Sequence, residues 1–220
     1  MIDFPDRSKA FEYENNFWLS CHMNRLSKVL AHYELFKLAL PLAGDIVECG
    51  VFKGASLLRF AMMRELLSNP HQKRIIGFDT FGKFPKAGFD ADEDFLEKFV
   101  SEAGSESISI EALLSLLEEK ECSRNVELVK GDICETVPSY VAEHPELRIS
   151  FLNLDTDVYE PAVAILEHFW DRMVPGGIVL LDDYGVFPGE SKAVDEFFAG
   201  SGIRIQKLPI AKTPSYVVKD

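Results

Sequence analysis

Residues 203–220 read IRIQKLPIAKTPSYVVKD: two short apolar runs, IRIQKLPI and SYVVKD, flank the turn AKTP with no helical stretch between them. Runs joined so closely predict an antiparallel hairpin. What precedes them is different in kind. Working back along the chain, the strand-like runs are GIVLLDD (177–183), ISFLNLD (149–155), VELVKGD (126–132), RIIGFD (74–79) and DIVECGVF (45–52). They alternate with helix-like segments at 160–173, 135–143, parts of 90–120, and 54–68. Strands apolar on both faces, alternating with helices, predict an α/β fold with a parallel sheet covered on both sides. Residues 15–40 carry apolar positions at helical spacing until Pro41 and Gly44 stop them, which predicts a helical cap over 1–43. Five βα units finishing in a hairpin is an unusual ending for a dinucleotide-binding domain.

With 220 residues and no repeat, low-complexity tract or linker, the chain is expected to form one domain over 1–220, with the core at 44–220. A hydrophobic fraction of 47% and a charged fraction of 27% belong to the soluble globular class. No run approaches the ~18 apolar residues of a membrane span. The stretch MIDFPDRSKAFEYENN lacks the basic-then-apolar layout of a signal peptide, so a cytoplasmic location is expected and a membrane partner is not. Cys21, Cys49, Cys122 and Cys134 form no CxxC pair, which argues against a thiolate metal site and suits a reducing compartment. A net charge of −13 argues against a nucleic-acid partner, since such proteins neutralise phosphates with Lys and Arg. Most of the acidic excess reads as a solubilising surface.

VECGVFKGAS (47–56) places Gly50 and Gly54 directly after a strand and at the start of a helix. Glycine there lets a backbone approach a ligand, and a helix N-terminus favours an anion, though packing alone also calls for glycine. The spacing E-x-G-x-x-x-G lacks the G-x-G start of the dinucleotide fingerprint. Glu48 is a charge in an apolar strand, unfavourable to bury unless paired. Acids also close the later strands: Asp79, Asp132, then Asp155 and Asp182. Ligands of such sheets bind outside the carboxyl ends of the strands. In order, length and this loop the chain resembles the class I S-adenosylmethionine-dependent methyltransferases. That resemblance implies a Rossmann-like, mostly parallel seven-stranded sheet with an antiparallel C-terminal hairpin strand and helices on both faces. It also implies S-adenosylmethionine as cofactor, its methionine part cradled by the turn at Gly50 and Gly54. Glu48 would meet its ammonium, directly or through water, Asp79 its ribose and Asp132 its adenine, with Ser56, Thr80 and Ile133 alongside.

The fourth strand delivers Asp155 and Asp157, and the fifth, ending LLDDYG, delivers Asp182 and Asp183. As sheet neighbours these strands bring four carboxylates to one rim. Two unit charges about 4 Å apart repel by ~4 kcal/mol at an effective dielectric of about 20. Several such pairs would consume much of the ~5–15 kcal/mol that stabilises a domain. Protonation relieves this, and a divalent cation does so more directly. Oxygen-only ligands point to a hard cation, Mg2+ first, then Ca2+ or Mn2+. The other reading is that the aspartates splay into water or cap the following helices, Asp157 before VYEPAV being a fair N-cap.

LNLDTDVYE, followed by VPGGIVLLDDYGVFPGESKAVDEFF, resembles the macrocin O-methyltransferase (TylF-type) family of Mg2+- and S-adenosylmethionine-dependent sugar O-methyltransferases. GDIVECGVFKGAS, GFDTFGKFP and VELVKGDICETVP fit its other blocks in order, over roughly residues 42–200. The resemblance implies a small-molecule, sugar-containing acceptor. It implies that Asp155, Asp182 and Asp183 hold the metal and that Asp157 is the general base. Thr156 departs from the family's small glycine. The stretch 83–120 fits poorly, and the region at about 82–120 is expected to select the acceptor. Phe81, Phe84 and Phe89, with Gly82 and Gly88, form either a lid or a small satellite core. An amphipathic N-terminal helix, and relatives that assemble, suit a homo-oligomer.

Three other readings compete. A catechol-type O-methyltransferase uses a similar rim but carries a lysine shortly after the first metal aspartate, where Val158, Tyr159 and Glu160 follow Asp157 here. A dehydrogenase's Y-x-x-x-K occurs only as YELFK (33–37), upstream of the glycine loop. A non-catalytic scaffold would have no reason to keep both the loop and all four aspartates. His22, His32, His71, His144 and His168 have no partner at ligand spacing and are expected to be solvated or packed.

Overall fold

The apolar runs become strands whose alternate side chains enter two different cores. The computed structural model describes residues 5–84 and 88–220. Its strands are β1 (Asp45–Cys49), β2 (Ile75–Asp79), β3 (Val126–Lys130), β4 (Ile149–Leu154), β5 (Met173–Leu181), β6 (Gln206–Lys207) and β7 (Ser215–Val218). Its α-helices are α1 (Ala10–Ser20), α2 (Met23–Ala39), α3 (Ala55–Leu67), α4 (Asp90–Ala103), α5 (Ile110–Glu119), α6 (Ile133–Glu143), α7 (Tyr159–Phe169) and α8 (Pro188–Phe198). The seven strands form one sheet in the order β3-β2-β1-β4-β5-β7-β6. β1 to β5 pair in parallel, while β7 runs antiparallel between β5 and β6. The fold is thus the Rossmann-like, mostly parallel sheet that the sequence implies, closed by its C-terminal hairpin.

The period of two along each strand sorts the core. On one face Val47, Ile76, Leu152 and Val179 pack against α6, α7 and α8. On the other Ile46, Ile75, Phe151 and Ile178 pack with Leu35 and Phe36 of α2, Phe60 of α3 and Leu113 of α5. Central strands β2 and β4 are buried at every residue, whereas β3, at the edge, is only partly so. This is why the central runs read as continuous apolar stretches rather than alternating ones.

Four boundaries differ from the sequence reading. The apolar stretch over 15–40 is two helices, not one, because His22 ends the run in extended backbone and caps α2, its Nδ1 accepting from Asn24 N at 3.2 Å. β1 stops at Cys49, where Gly50 turns out of the sheet with φ +91°. β5 starts at Met173, four residues before the run read as a strand, and takes in the Pro-Gly-Gly stretch as an irregularity in pairing: Ile149 faces Met173 but Phe151 faces Ile178. Helix α8 follows the last aspartates, with Pro188 in its first turn, where no imino N–H is missed. All four cysteines are free. Among the described residues no helix is long and apolar enough to cross a membrane.

Candidate active site

At the carboxyl ends of β1 and β4 two backbones touch. A Cβ placed on Gly50 would lie 1.6 Å from the carbonyl oxygen of Asp155, and Asp155 N donates to Cys49 O at 3.0 Å. The loop can carry only glycine there, and its position is locked to that of the aspartate strand. Asp79, at the end of β2, then shapes the loop. Its Oδ2 accepts from Val51 N and Phe52 N, both at 2.9 Å, and its Oδ1 from Phe81 N at 2.7 Å. The Thr80 hydroxyl has one proton and lies nearer Lys83 O (3.0 Å) than Asp79 Oδ1 (3.3 Å). Asp79 therefore keeps one lone-pair direction for a further donor. Asp132 caps α6 by accepting from Cys134 N at 2.9 Å.

These groups border a cavity of about 730 Å³. Of the cofactor residues read from the sequence, Gly50, Ser56, Asp79, Thr80, Asp132 and Ile133 line it, as do all four aspartates. Glu48 and Gly54 lie behind the wall. Gly54 (φ +81°) opens α3. Glu48 is fully buried: its Oε1 accepts from Asn153 Nδ2 at 3.1 Å, and its Oε2 has no hydrogen-bond partner among the described residues. Burial pushes its carboxyl up to about 8, against the opposing pull of Ser56, Asn153 and Arg59. The aromatic cluster over 81–89 divides. Phe81 belongs to the core, Phe84 lines the cavity beside Phe52 and Phe99, and Phe89 packs on Tyr159. Residues 85–87 of this region lie outside the described residues.

At the rim the structure brings together Asp155, Asp157 and Asp183, each offering an oxygen within 4.8 Å of the others. Burial first, then the charge of Asp182, raises the carboxyls of Asp155 and Asp183 well above the ordinary range. Burial and the charge of Asp155 push Asp157 up to about 7. Three acids that cannot comfortably ionise together, all offering oxygen, suit a hard divalent cation. Asp182 faces elsewhere. Its two oxygens meet Lys28 Nζ and, at 3.3 Å, His32 Nε2. Burial opposes its ionisation, but His32 and Lys28 overcome this and hold it below the usual carboxylate range. Burial lowers the pKa of His32, and Arg59 donates to its Nδ1 at 2.7 Å. The proton of the neutral ring therefore sits on Nε2 and is donated to Asp182. Burial also works against the charge of Lys28, yet Asp155, Asp182 and Asp183 more than compensate and raise it.

Asp157 does not cap a helix. It sits at φ +63°, in a tight turn closed by Val158 N donating to Thr156 O at 2.6 Å. Asp tolerates that left-handed region better than most residues. Thr156 is not at positive φ, so threonine in place of glycine brings no such strain, though its buried Oγ1 lacks a partner among the described residues. The capping is done from afar. Asp92 of α4, fully buried, accepts from Tyr159 N (3.1 Å) at the start of α7 and from Gly189 N (2.7 Å) at the start of α8. Glu190 of α8, also fully buried, accepts from Asp183 N at 3.0 Å.

Sequence reasoning missed Lys28, His32, Arg59, Asn153, Glu190 and Asp92. Lys28 and His32 carried one signal: they stand four apart on a helix whose apolar stripe is Ala31, Leu35 and Ala39, so both fall beside the buried face. His32 is packed as expected, on Phe60, but it also serves the rim.

The profile of the macrocin O-methyltransferase (TylF) family matches residues 23–217. Over 153 residues the chain is 29% identical to an 8-demethyl-8-(2,3-dimethoxy-alpha-L-rhamnosyl)-tetracenomycin-C 4'-O-methyltransferase of Streptomyces olivaceus, covering 68% of this chain and 56% of that protein. Over 179 residues it is 26% identical to a mycinamicin III 3''-O-methyltransferase of Micromonospora griseorubida, covering 79% and 67%. The chain thus spans between about half and two thirds of the length of these relatives. Among solved structures it resembles CalS11, a calicheamicin methyltransferase, with TM-score 0.73 and 28% identity, covering 97% of this chain and 86% of that one. The apo form of CalS11, described as a TDP-rhamnose 3'-O-methyltransferase, aligns at TM-score 0.70 and 28% identity, covering 98% and 87%.

Proposed function

The chain belongs to the macrocin O-methyltransferase (TylF) family, and we propose that it transfers a methyl group from S-adenosylmethionine to a hydroxyl of a sugar or sugar-containing small molecule, with a divalent cation, Mg2+ first, at the aspartate rim. One observation carries this reading: Gly50 of the cofactor loop is packed on the backbone of Asp155, so loop and carboxylate rim open into the same cavity. The named relatives act on sugars of tetracenomycin and mycinamicin type or on TDP-rhamnose, which supports a sugar hydroxyl over a catechol.

When bound, the cofactor supplies a methyl already activated on sulfur, and the cation supplies charge that favours ionisation of a hydroxyl whose pKa is otherwise about that of water, roughly 16. Asp155 and Asp183 would hold the cation, and Asp182, whose oxygens face Lys28 and His32, would join them where the cation displaces Lys28. Asp157 accepts the acceptor's proton; a base near neutrality, fixed by its backbone turn, suits that task. Gly50 and Gly54 shape the turn for the methionine part, with Ser56 and Thr80 beside it. Asp79 would hold a ribose hydroxyl through its remaining lone pair, and Asp132 and Ile133 would flank the adenine. Glu48, buried beneath the loop with its Oε2 unpartnered among the described residues, would meet the cofactor's ammonium, directly or through water, and would ionise beside that positive charge. Phe84, Phe99, Ala103 and Ser107, from the 82–120 region, border the acceptor's side of the cavity. We place the protein in the cytoplasm without a nucleic-acid partner. Exposed Phe11, Trp18 and Leu19 of α1 offer a surface for self-association.

The test is methyl transfer to a panel of sugar-bearing acceptors, read by mass. The product should gain one methyl with Mg2+ present, lose that gain in excess EDTA and recover it when Mg2+ is restored. S-Adenosylhomocysteine should raise the Tm. Transfer undiminished in EDTA would overturn the metal's role, and no Tm response together with no transfer would overturn the whole reading.

A further inference from the structure

A second hollow, of about 230 Å³, adjoins the rim. Its walls are Asn24, Arg25 and Lys28 from the start of α2, Asp183 and Val186 after β5, and Lys212 and Thr213 between β6 and β7. Arg25, Lys28 and Asp183 also line the main cavity, so the two spaces are neighbours that share a wall. In a chain with 23 basic and 36 acidic residues, three of these seven lining residues are cationic. The rim's own carboxylates account for one of them, since Lys28 pairs with Asp182. Arg25 and Lys212 are exposed and form no ion pair among the described residues. They come from segments almost 190 positions apart, so the fold, and not a local run of charge, puts them together. The N-terminus of the 17-residue α2 adds positive potential on the same wall.

Resting on the function proposed above, we propose that this hollow receives a phosphoryl group carried by the acceptor sugar. The geometry behind this is Asp183, which borders both spaces. A sugar whose hydroxyl met Asp157 in the main cavity would extend its anionic substituent past Asp183 toward Arg25 and Lys212. Arg pairs with phosphate oxygens in a planar fork and Lys as a point charge. The acceptor is thus an activated sugar, a nucleoside diphosphate sugar or a sugar 1-phosphate, methylated before it is attached to anything else. The reaction that consumes the product is then a glycosyl transfer, in which the bond from the anomeric carbon to the phosphoryl oxygen breaks and one to a new acceptor oxygen forms.

The test measures binding of a nucleoside diphosphate, a sugar 1-phosphate and a neutral methyl glycoside to the S-adenosylhomocysteine complex by calorimetry. EDTA is present so that no cation bridges phosphate to carboxylate. The nucleoside diphosphate should bind, more weakly as salt rises. The Arg25→Ala/Lys212→Ala double variant should lose at least about tenfold in that affinity while its affinity for S-adenosylhomocysteine is unchanged, showing that it is folded. Equal binding of the sugar 1-phosphate would assign the hollow to a single phosphoryl group, and much weaker binding would assign it to the diphosphate. An unchanged affinity in the double variant would overturn the proposal, as would methyl transfer to neutral glycosides as efficient as to their phosphorylated counterparts. Failure of transfer to every acceptor, with nucleotide binding intact and sensitive to the double substitution, would overturn the proposed function and leave the anion site standing.

Discussion

Asp157 owes its position to a backbone conformation that few side chains accept, and its chemistry to burial beside Asp155. Asp157→Asn keeps size and turn but removes the proton acceptor. Methyl transfer should fall by about 10²–10⁴-fold, the usual contribution of a positioned base. Affinity for S-adenosylhomocysteine, measured by calorimetry, should stay the same, and a variant with full turnover would remove Asp157 from its role. Glu48 gives a pH signature. The native state holds its proton up to about 8, whereas an ordinary glutamate releases it near 4.5. Its contribution to stability is complete below the lower value and is lost as pH rises through the higher one, on the order of a few kcal/mol. Glu48→Gln does not titrate. The Tm of the variant minus that of the parent should therefore become steadily more positive from about pH 5 to about pH 8; a flat difference would mean that Glu48 is ionised in the native protein. The sequence placed Asp79, Asp155 and Asp182 at strand ends correctly. It could not say that Asp79 accepts two bonds from the glycine loop and one from Phe81, because a side chain's direction is not encoded in its spacing.

Helix α4 illustrates how one element can organise its neighbours. Its first turn holds Asp90, Asp92 and Glu93, which any helix N-terminus would favour. Only Asp92 turns inward, and it caps both α7 and α8, whose own N-cap residues, Val158 and Phe187, make no side-chain cap. Gly189 must be glycine for this, since a Cβ there would lie 1.9 Å from Asp92 Oδ2. Asp92→Ala leaves two buried amide donors without acceptors, at about 1–3 kcal/mol each. The variant should lose roughly 2–6 kcal/mol in urea unfolding. Amide exchange should also quicken in α4 and in the first turns of α7 and α8. A loss below about 1 kcal/mol, within the range of an ordinary surface substitution, would show that the caps are dispensable. Pattern reading found α4 and α7 but took Asp157 for a cap candidate, since local capping rules see only residues adjacent in sequence.

Across the whole molecule the N-terminal helices and the sheet rim form one electrostatic unit. Lys28 and His32 of α2 reach Asp182, 154 and 150 positions away, and Arg59 of α3 steadies His32. Lys28 is drawn to the same carboxylates that would bind a cation, so the two compete. Lys28→Met should tighten Mn2+ binding, followed by electron paramagnetic resonance, by about tenfold, equivalent to ~1.4 kcal/mol; unchanged affinity would mean that Lys28 does not occupy the cation's place. By itself the sequence determined the sheet: buried strands must be apolar on both faces, a chain alternating them with helices can only lay them in parallel, and the terminal pair without a helix between must fold back. It also determined that acids crowd the strands' carboxyl ends. Only the tertiary structure decided which of those acids meet. It set Asp155, Asp157 and Asp183 together, gave Asp182 to Lys28 and His32, and put Arg25 and Lys212 on the walls of one hollow. These are contacts between side chains remote in sequence, fixed by how helices pack on the sheet and which way each side chain turns, and no local period of two or 3.6 carries that information.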